Sequence, residues 1–299
     1  MLSFTTGRRI LKEYFVASSI EEALAYLSAH HGEAQLLGGG THLLPQIQRG
    51  EGVAQRLVDV SHIHPMTKIS LQDDYLLIGG AVTLEDLLEE ELVRQQAPLL
   101  LEAVQDMGSP SLRHLATVAG DIVSAEGLSR LSVALVTLEA EAEITNLTGA
   151  QWLRLERLFV RRGLSRVDST AEILTAIRLH PWGAGQGMAL EGGQRTRGQA
   201  GGTVLLGIAL TLDATGEHLA GLVITLSSAE TIPQRLGQVE EALEGQTTSE
   251  ALHELPRLVR QVAQELAIPP QEAASLALRA FRRALEMARK RSLPSQGSR

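Results

Sequence analysis

Two short glycine-bearing segments, set far apart, constrain this chain more than anything else in it. The first is Leu36-Leu37-Gly38-Gly39-Gly40-Thr41-His42-Leu43 and the second is Thr117-Val118-Ala119-Gly120-Asp121. Each follows a short extended or apolar run. Glycine lets the chain reach φ > 0 and lets another group approach the backbone closely. Consecutive N–H groups in such turns form an anion-binding concavity, so two of them are able to grip one pyrophosphate from opposite sides. A tight strand-to-helix turn accounts equally well for a triple glycine taken alone. Neither segment has the spacing of a P-loop or completes Gly-x-Gly-x-x-Gly. Thr41 and Thr117 add hydroxyl donors, and a helix starting after the first segment adds a favourable dipole. Asp121 would accept a bond from a ribityl or ribose hydroxyl and would repel a phosphate aimed at it. His42 is expected to lie near whatever binds.

Bulk properties narrow the field. A chain of 299 residues suggests two or three subdomains. The net charge of −8 excludes a general nucleic-acid binder, which needs a basic excess to neutralise phosphates. The basic run from Arg279 to Arg291 reads as the solvated face of a C-terminal helix. There are no cysteines, so this chain holds no disulfide, thiolate nucleophile or cysteine-bound iron–sulfur cluster. No apolar run reaches the ~18 residues expected of a membrane span, and Met1–Lys12 contains no signal-peptide h-region. The expectation is a cytoplasmic protein with no membrane span. His30-His31 and His62-Ile63-His64 lack the further ligands of a metal site and read as surface or turn residues. No nucleophile elbow or nucleophile–base pair is visible.

Periodicity predicts a helix over Ser18–His31, capped by Ser18 or Ser19, and a strand from Gln35 into the first glycine segment. A helical turn over Thr41–Gln48 and a strand over Arg56–Val60 follow. Tyr75–Ile78 reads as a strand ending in Gly79-Gly80, with Thr83 capping a helix over Leu84–Leu92. Pro98–Met107 is a second helix, Leu131–Leu138 a buried helix, and Glu139–Ile144 and Ile173–Leu179 are strands. Gly183–Gly202 is rich in glycine and reads as a linker or mobile loop. Thr203–Leu212 and Leu219–Ser227 form a hairpin around Asp213-Ala214-Thr215-Gly216. Pro233–Leu243, Ser249–Leu266 and Gln271–Arg291 are helical by period.

The ordered succession of these motifs resembles the FAD-binding medium subunit of the molybdenum hydroxylases, the carbon monoxide and xanthine dehydrogenase group. The residues that carry the likeness are Ile20–Leu24, Ala34–Pro45, Leu57-Val58-Asp59-Val60-Ser61, Ile78–Leu87, Gly108–Asp121 and Glu172–Ile177. The likeness is good over residues 10 to 181 and architectural beyond.

The resemblance implies a mixed α+β and α/β fold of the vanillyl-alcohol-oxidase (PCMH) type. FAD-binding subdomain 1 would occupy 1–64, subdomain 2 would occupy 65–182, a linker 183–202, and a C-terminal domain of a small antiparallel sheet with helices 203–299. Leu36 to Leu43 would bind the FAD pyrophosphate from one subdomain and Thr117 to Asp121 from the other. Met107 would lie beside the flavin and Leu174 would make an apolar contact to it. Electrons would arrive from iron–sulfur clusters of a small partner subunit, filled in turn by a molybdopterin large subunit. They would leave to NAD, a quinone or oxygen, in a dimer of heterotrimers.

Three residues depart from the family pattern. Ala119 stands where glycine is usual, and Gly127 and Arg130 stand where Pro and Asp are usual. On this resemblance Arg130 would set a cation near the isoalloxazine, favour the reduced cofactor and raise its potential. These departures support a second reading, a paralogue that keeps the fold, binds FAD weakly or not at all, and serves as a scaffold or assembly subunit. A third reading is a stand-alone flavin reductase or oxidase, which would need a substrate domain with an acid–base group.

Overall fold

The structure, a computed structural model, describes residues 11–51, 55–192 and 204–292. The chain opens with β1 (Glu13–Val16), α1 (Ile20–Ala29), β2 (Ala34–Leu37), α2 (Leu43–Gln48) and β3 (Arg56–Asp59). Ser19 caps α1 by accepting the Glu22 amide at 3.1 Å, and Ala23, Leu24 and Leu27 turn inward. The strands form a parallel sheet in the order β1-β3-β2. Parallel pairing demands crossover connections, and α1 and α2 lie within them. Asp59, buried at the end of β3, accepts hydrogen bonds from the Tyr14 hydroxyl and from the Ser61 amide and hydroxyl. This explains the Asp59-Val60-Ser61 motif as a clasp between neighbouring strands.

The second layer contains β4 (Ile69–Gln72), β5 (Tyr75–Gly79), α3 (Leu84–Glu89), α4 (Glu91–Gln96), α5 (Pro98–Gln105), α6 (Pro110–Arg113), α7 (Val118–Ser124) and α8 (Arg130–Thr137). It continues with β6 (Glu141–Asn146), β7 (Gly149–Arg154), β8 (Phe159–Arg161), β9 (Leu164–Ser165) and β10 (Ile173–Leu179). An antiparallel sheet of order β4-β5-β10-β6-β7 carries the apolar cluster of Leu76, Ile78, Leu87, Leu99 and Val133 on one face. Thr83 and Asp86 form a reciprocal capping box at α3. The expected helix Leu84–Leu92 breaks at Glu90, whose side chain caps α4 instead.

The last unit is β11 (Gln186–Gly192), β12 (Val204–Leu212), β13 (Leu219–Ser228), β14 (Gln234–Arg235), α9 (Gly237–Leu243), α10 (Thr248–Glu265) and α11 (Pro270–Ser292). Its sheet is antiparallel in the order β11-β12-β13-β14. Two expectations are corrected here. Gln186–Gly192, assigned to the linker 183–202, is a strand, because Met188, Ala189 and Leu190 bury their side chains and pair with Ala209, Ile208 and Gly207. Residues 183–185 of that linker lead into the strand, and 193–202 lie outside the described residues. The expected helix from Pro233 begins only at Gly237, since Gln234 and Arg235 pair with Leu226 and Thr225.

One helix joins the layers. Residues Leu131 to Thr137 of α8 are all buried, because α8 packs on α5 and also on β12 and β13. Gly207 permits that approach: a β-carbon there would lie 2.2 Å from Thr137 Oγ1. The basic run on α11 is mostly engaged, with Arg279 and Arg283 paired to Glu191, Lys290 to Glu286, and Arg291 over the Trp182 ring.

The α7–α8 connection is docked on the C-terminal sheet through Gly127. A β-carbon there would sit 2.1 Å from the carbonyl oxygens of both Ser228 and Thr231, and Ser227 Oγ donates to the Gly127 carbonyl at 2.5 Å. Backbone atoms cannot move aside as a side-chain tip can. Gly127→Ala should therefore lower stability by about 1–3 kcal/mol, the usual cost of overpacking, read as a fall in the urea midpoint.

Candidate functional site

The two glycine segments meet. A β-carbon on Gly38 would lie 2.7 Å from Thr117 Oγ1, and one on Gly39 would lie 1.5 Å from the Leu115 carbonyl oxygen. Only glycine allows that approach. Gly40, at φ +70°, turns the chain out of β2 towards α2. The segments border a cleft of about 290 Å³, walled by Leu36–Leu43 on one side and by Thr117, Gly120, Val123 and Ser124 on the other. A narrower extension of about 80 Å³ runs beneath Gly38 and Thr117 to Gly80, Ala119 and Leu174.

Although they look alike in sequence, the segments differ in what they offer. Every buried amide must find an acceptor. In the second segment all four following amides have one within the protein. Val118 donates to the Val82 carbonyl and Ala119 to that of Gly80, both at 2.9 Å. Gly120 donates to Thr117 Oγ1 at 3.1 Å, and Asp121 to the Thr117 carbonyl at 2.9 Å. The segment is the capped first turn of α7, not a bare turn. In the first segment the amides of Gly38, Gly39, Gly40, Thr41, His42 and Leu43 make no hydrogen bond to any described residue. All six residues line the cleft.

Further expectations change with this geometry. Ala119 lies in a right-handed helix without positive φ, so its methyl costs the backbone nothing and suits a helix better than glycine by ~1 kcal/mol. Asp121 does not line the cleft. Its Oδ2 accepts the hydroxyls of Ser129 and Ser132, the latter at 3.1 Å, and so ties α7 to the start of α8. Burial pushes the Asp121 carboxyl above its ordinary value even though both serines oppose the shift. Val118 is likewise buried away from the cleft, and Met107 packs on the main core without lining either part of it. Arg130, 18% exposed, heads α8 with Nη2 3.7 Å from Asp106 Oδ2, while its buried Nε has no partner. His42 lines the cleft, and its Nε2 lies 2.8 Å from Gln46 Nε2.

Sequence reading missed the lid over the cleft: Gly163, Leu164 and Ser165 of the β8–β9 hairpin, with Val167 and Ser169 beyond it. The available signal was Gly163, which takes φ +72° at the hairpin tip. Among the described residues, no lysine or arginine lines either part of the cleft and no cluster of three metal-binding side chains exists.

The candidate site is thus a cleft between two sheets, lined on one wall by residues whose amides have no acceptor among the described residues. A family profile described as "FAD binding domain in molybdopterin dehydrogenase" matches residues 6–182, and the chain belongs to that family of oxidoreductase flavoprotein subunits. It is 25% identical over 241 residues to the carbon monoxide dehydrogenase medium chain of Hydrogenophaga pseudoflava, covering 80% of this chain and 83% of that one. It is 26% identical over 169 residues to the xanthine dehydrogenase FAD-binding subunit of Escherichia coli O157:H7, covering 56% and 57%. The fold matches a chain of reconstituted CO dehydrogenase from Oligotropha carboxidovorans with a TM-score of 0.83, at 22% identity, over 92% of this chain and 98% of that one. The flavin-binding architecture implied by the resemblance is the one the chain adopts.

Gly39→Ala tests the contact between segments. It should displace Leu115, widen the cleft and lower the melting temperature, with FAD retention falling at least about tenfold as the donor segment moves away from the α7 wall. Asp121→Asn tests the raised carboxyl. A folded-state value above the unfolded one means that the native protein binds the extra proton, so this group's contribution is present below 3.8 and is lost as pH rises through the raised value. The wild type should lose stability across that window, and the urea midpoint of Asp121→Asn should show a flatter pH dependence.

Proposed function

We propose that this chain binds FAD and passes electrons from iron–sulfur clusters in a partner chain to an external acceptor, as the flavoprotein subunit of a molybdopterin-dependent hydroxylase or dehydrogenase. The observation that carries this is the row of six unpaired amides, Gly38 to Leu43, lining a cleft of nucleotide-holding size. A pyrophosphate needs several converging N–H donors, and these residues fit it. Bound FAD supplies a redox centre able to take up electrons singly and release them singly or in pairs.

The residues divide the work. Amides of Gly38–Leu43 and the hydroxyl of Thr41 hold the phosphates. Leu36, Leu37, Ala119, Gly120 and Leu174 give the cofactor aliphatic and backbone surface. Thr117, Val118 and Asp121 set α7 at the distance the clamp requires, and His42 stands at its rim. On this reading subdomain 1 covers 1–64 and subdomain 2 covers 65–182, while the C-terminal domain starts with β11 at Gln186. Met107 and Arg130 line neither part of the cleft and take no part in this clamp; any contact they make with FAD lies beyond it.

With no cysteine, this chain cannot itself hold the clusters. A small iron–sulfur subunit and a large molybdopterin subunit are therefore the partners, in a cytoplasmic dimer of heterotrimers, with NAD, a quinone or oxygen as acceptor. No helix among the described residues is long and apolar enough to cross a membrane. The scaffold reading loses its support, because Ala119 is a helix residue and Gly127 serves the packing of the C-terminal sheet.

Purified protein given FAD should retain it near one per chain, seen as flavin absorbance after gel filtration. A colourless protein would return the scaffold reading. Because no lysine or arginine lines the cleft, FAD affinity should change by less than about threefold between low and high salt, where charged phosphate sites lose far more.

A further inference from the structure

A second and wider cavity, of about 610 Å³, opens where α8 ends and the C-terminal sheet continues past it. Its floor is the sheet face that α8 leaves uncovered, where Ala209 pairs with Val223 and Thr211 with Gly221. Trp182 and His180 wall one side and α9 the other. The volume falls within the ~300–1,000 Å³ range of ligand pockets, and the proposed flavin cleft lies elsewhere.

Two of its glycines face open space among the described residues. Gly187 and Gly207 of the same sheet are required, since β-carbons there would meet Ala284 O at 1.8 Å and Thr137 Oγ1 at 2.2 Å. A β-carbon on Gly237 would meet nothing within 4 Å, and one on Gly221 would meet only the Thr211 side chain at 3.7 Å. Neither residue has positive φ. A glycine inside a strand weakens it and marks places where another backbone or a ligand comes close. Gly221 adjoins the bulge where the β12–β13 register shifts between Thr211 and Leu212, and the space over its α-carbon is open to a group from outside this chain.

The cavity also has a sign. Glu139 is paired with Arg154 and Arg235, and Glu240 with Arg235 and the Ile224 amide. His180 is stacked on Tyr75. The carboxylates of Glu241 and Glu244, exposed on α9, have no ion pair among the described residues. Arg235, the cavity's arginine, is already held by two glutamates. The surface is therefore negative, and it complements a cation.

We infer that this cavity is a socket for a lysine- or arginine-bearing segment of a partner subunit, its backbone laid across Gly221 and its cation set between Glu241 and Glu244. The inference rests on the reading of this chain as one subunit of a larger assembly. The assembled complex and the separate FAD-loaded chain are compared by carbodiimide labelling of carboxylates, read by mass spectrometry. Glu241 and Glu244 should label several-fold less in the complex. Glu241→Lys with Glu244→Lys should weaken assembly about tenfold or more, as loss of a charge contact does, with flavin content unchanged. Gly237→Trp, whose β-carbon has open space around it and whose ring would occupy the cavity, should weaken assembly in the same way. Equal labelling in both states, together with undisturbed assembly of the variants, would overturn the socket. So would a small cationic molecule found in the separate chain by native mass spectrometry. Flavin absorbance is read in every sample, and a wild type that assembles but holds no FAD counts against the flavin reading and leaves the socket standing.

Discussion

The structure depends on a backbone-to-backbone contact. Gly39 lies against the Leu115 carbonyl so closely that no β-carbon fits between them, and Gly38 lies against the Thr117 side chain. This fixes the parallel first sheet relative to the antiparallel second one. It also fixes the width of the cleft between them. Neighbouring contacts repeat the device, with Gly79 against the Met66 carbonyl and Gly80 against that of Leu174. A seam built from carbonyls meeting glycines is rigid, because neither side has a flexible tip that can yield. The cofactor cleft inherits that rigidity.

Within the seam the division of hydrogen-bond donors is unequal. The α7 side spends its amides on its own cap and on the carbonyls of Gly80 and Val82, which orders the helix and anchors it to the end of β5. The β2–α2 side keeps six amides free of acceptors among the described residues. An unpaired buried donor costs on the order of 1–3 kcal/mol, so a run of them is tolerable only where solvent or an anion reaches. One wall therefore supplies the bonds and the other supplies the position. Among the described residues no lysine or arginine lines the cleft, so its donors are main-chain amides together with the hydroxyls and amide side chains of its lining.

Much of this was legible in the sequence, and the failures share a cause. Helices with strong local signals stood where expected: Ser19 caps α1, Thr83 caps α3, and the mostly apolar run of α8 marked a buried helix. The location of the cleft was legible from glycine. The inequality of its two walls was not, because the acceptors of Val118 and Ala119 come from a distant strand end, and no local pattern announces them. Asp121 was misplaced for the same reason, since its partners Ser129 and Ser132 become neighbours only when α8 docks. The strand β11 was hidden by the glycines around it, although its pairing with β12 is continuous. In β14 a local preference for helix after Pro233 lost to two ladder positions on β13.

The departures from the family pattern also gain a physical account when taken together. Gly127 is required by two carbonyls of the loop that follows β13, so the C-terminal sheet sets the residue that may stand in the α7–α8 connection. Arg130 follows at the head of the same α8, beside Asp106 and within 3.1 Å of where a Gly192 β-carbon would lie. An arginine with one long ion pair and a buried Nε lacking an acceptor is under-coordinated for a group with five donors. Its charge is only partly answered by Asp106, so it projects a positive field into the space between α8 and the end of β11. The same docking of sheet on helix that demands glycine at 127 also holds that cation at the head of α8.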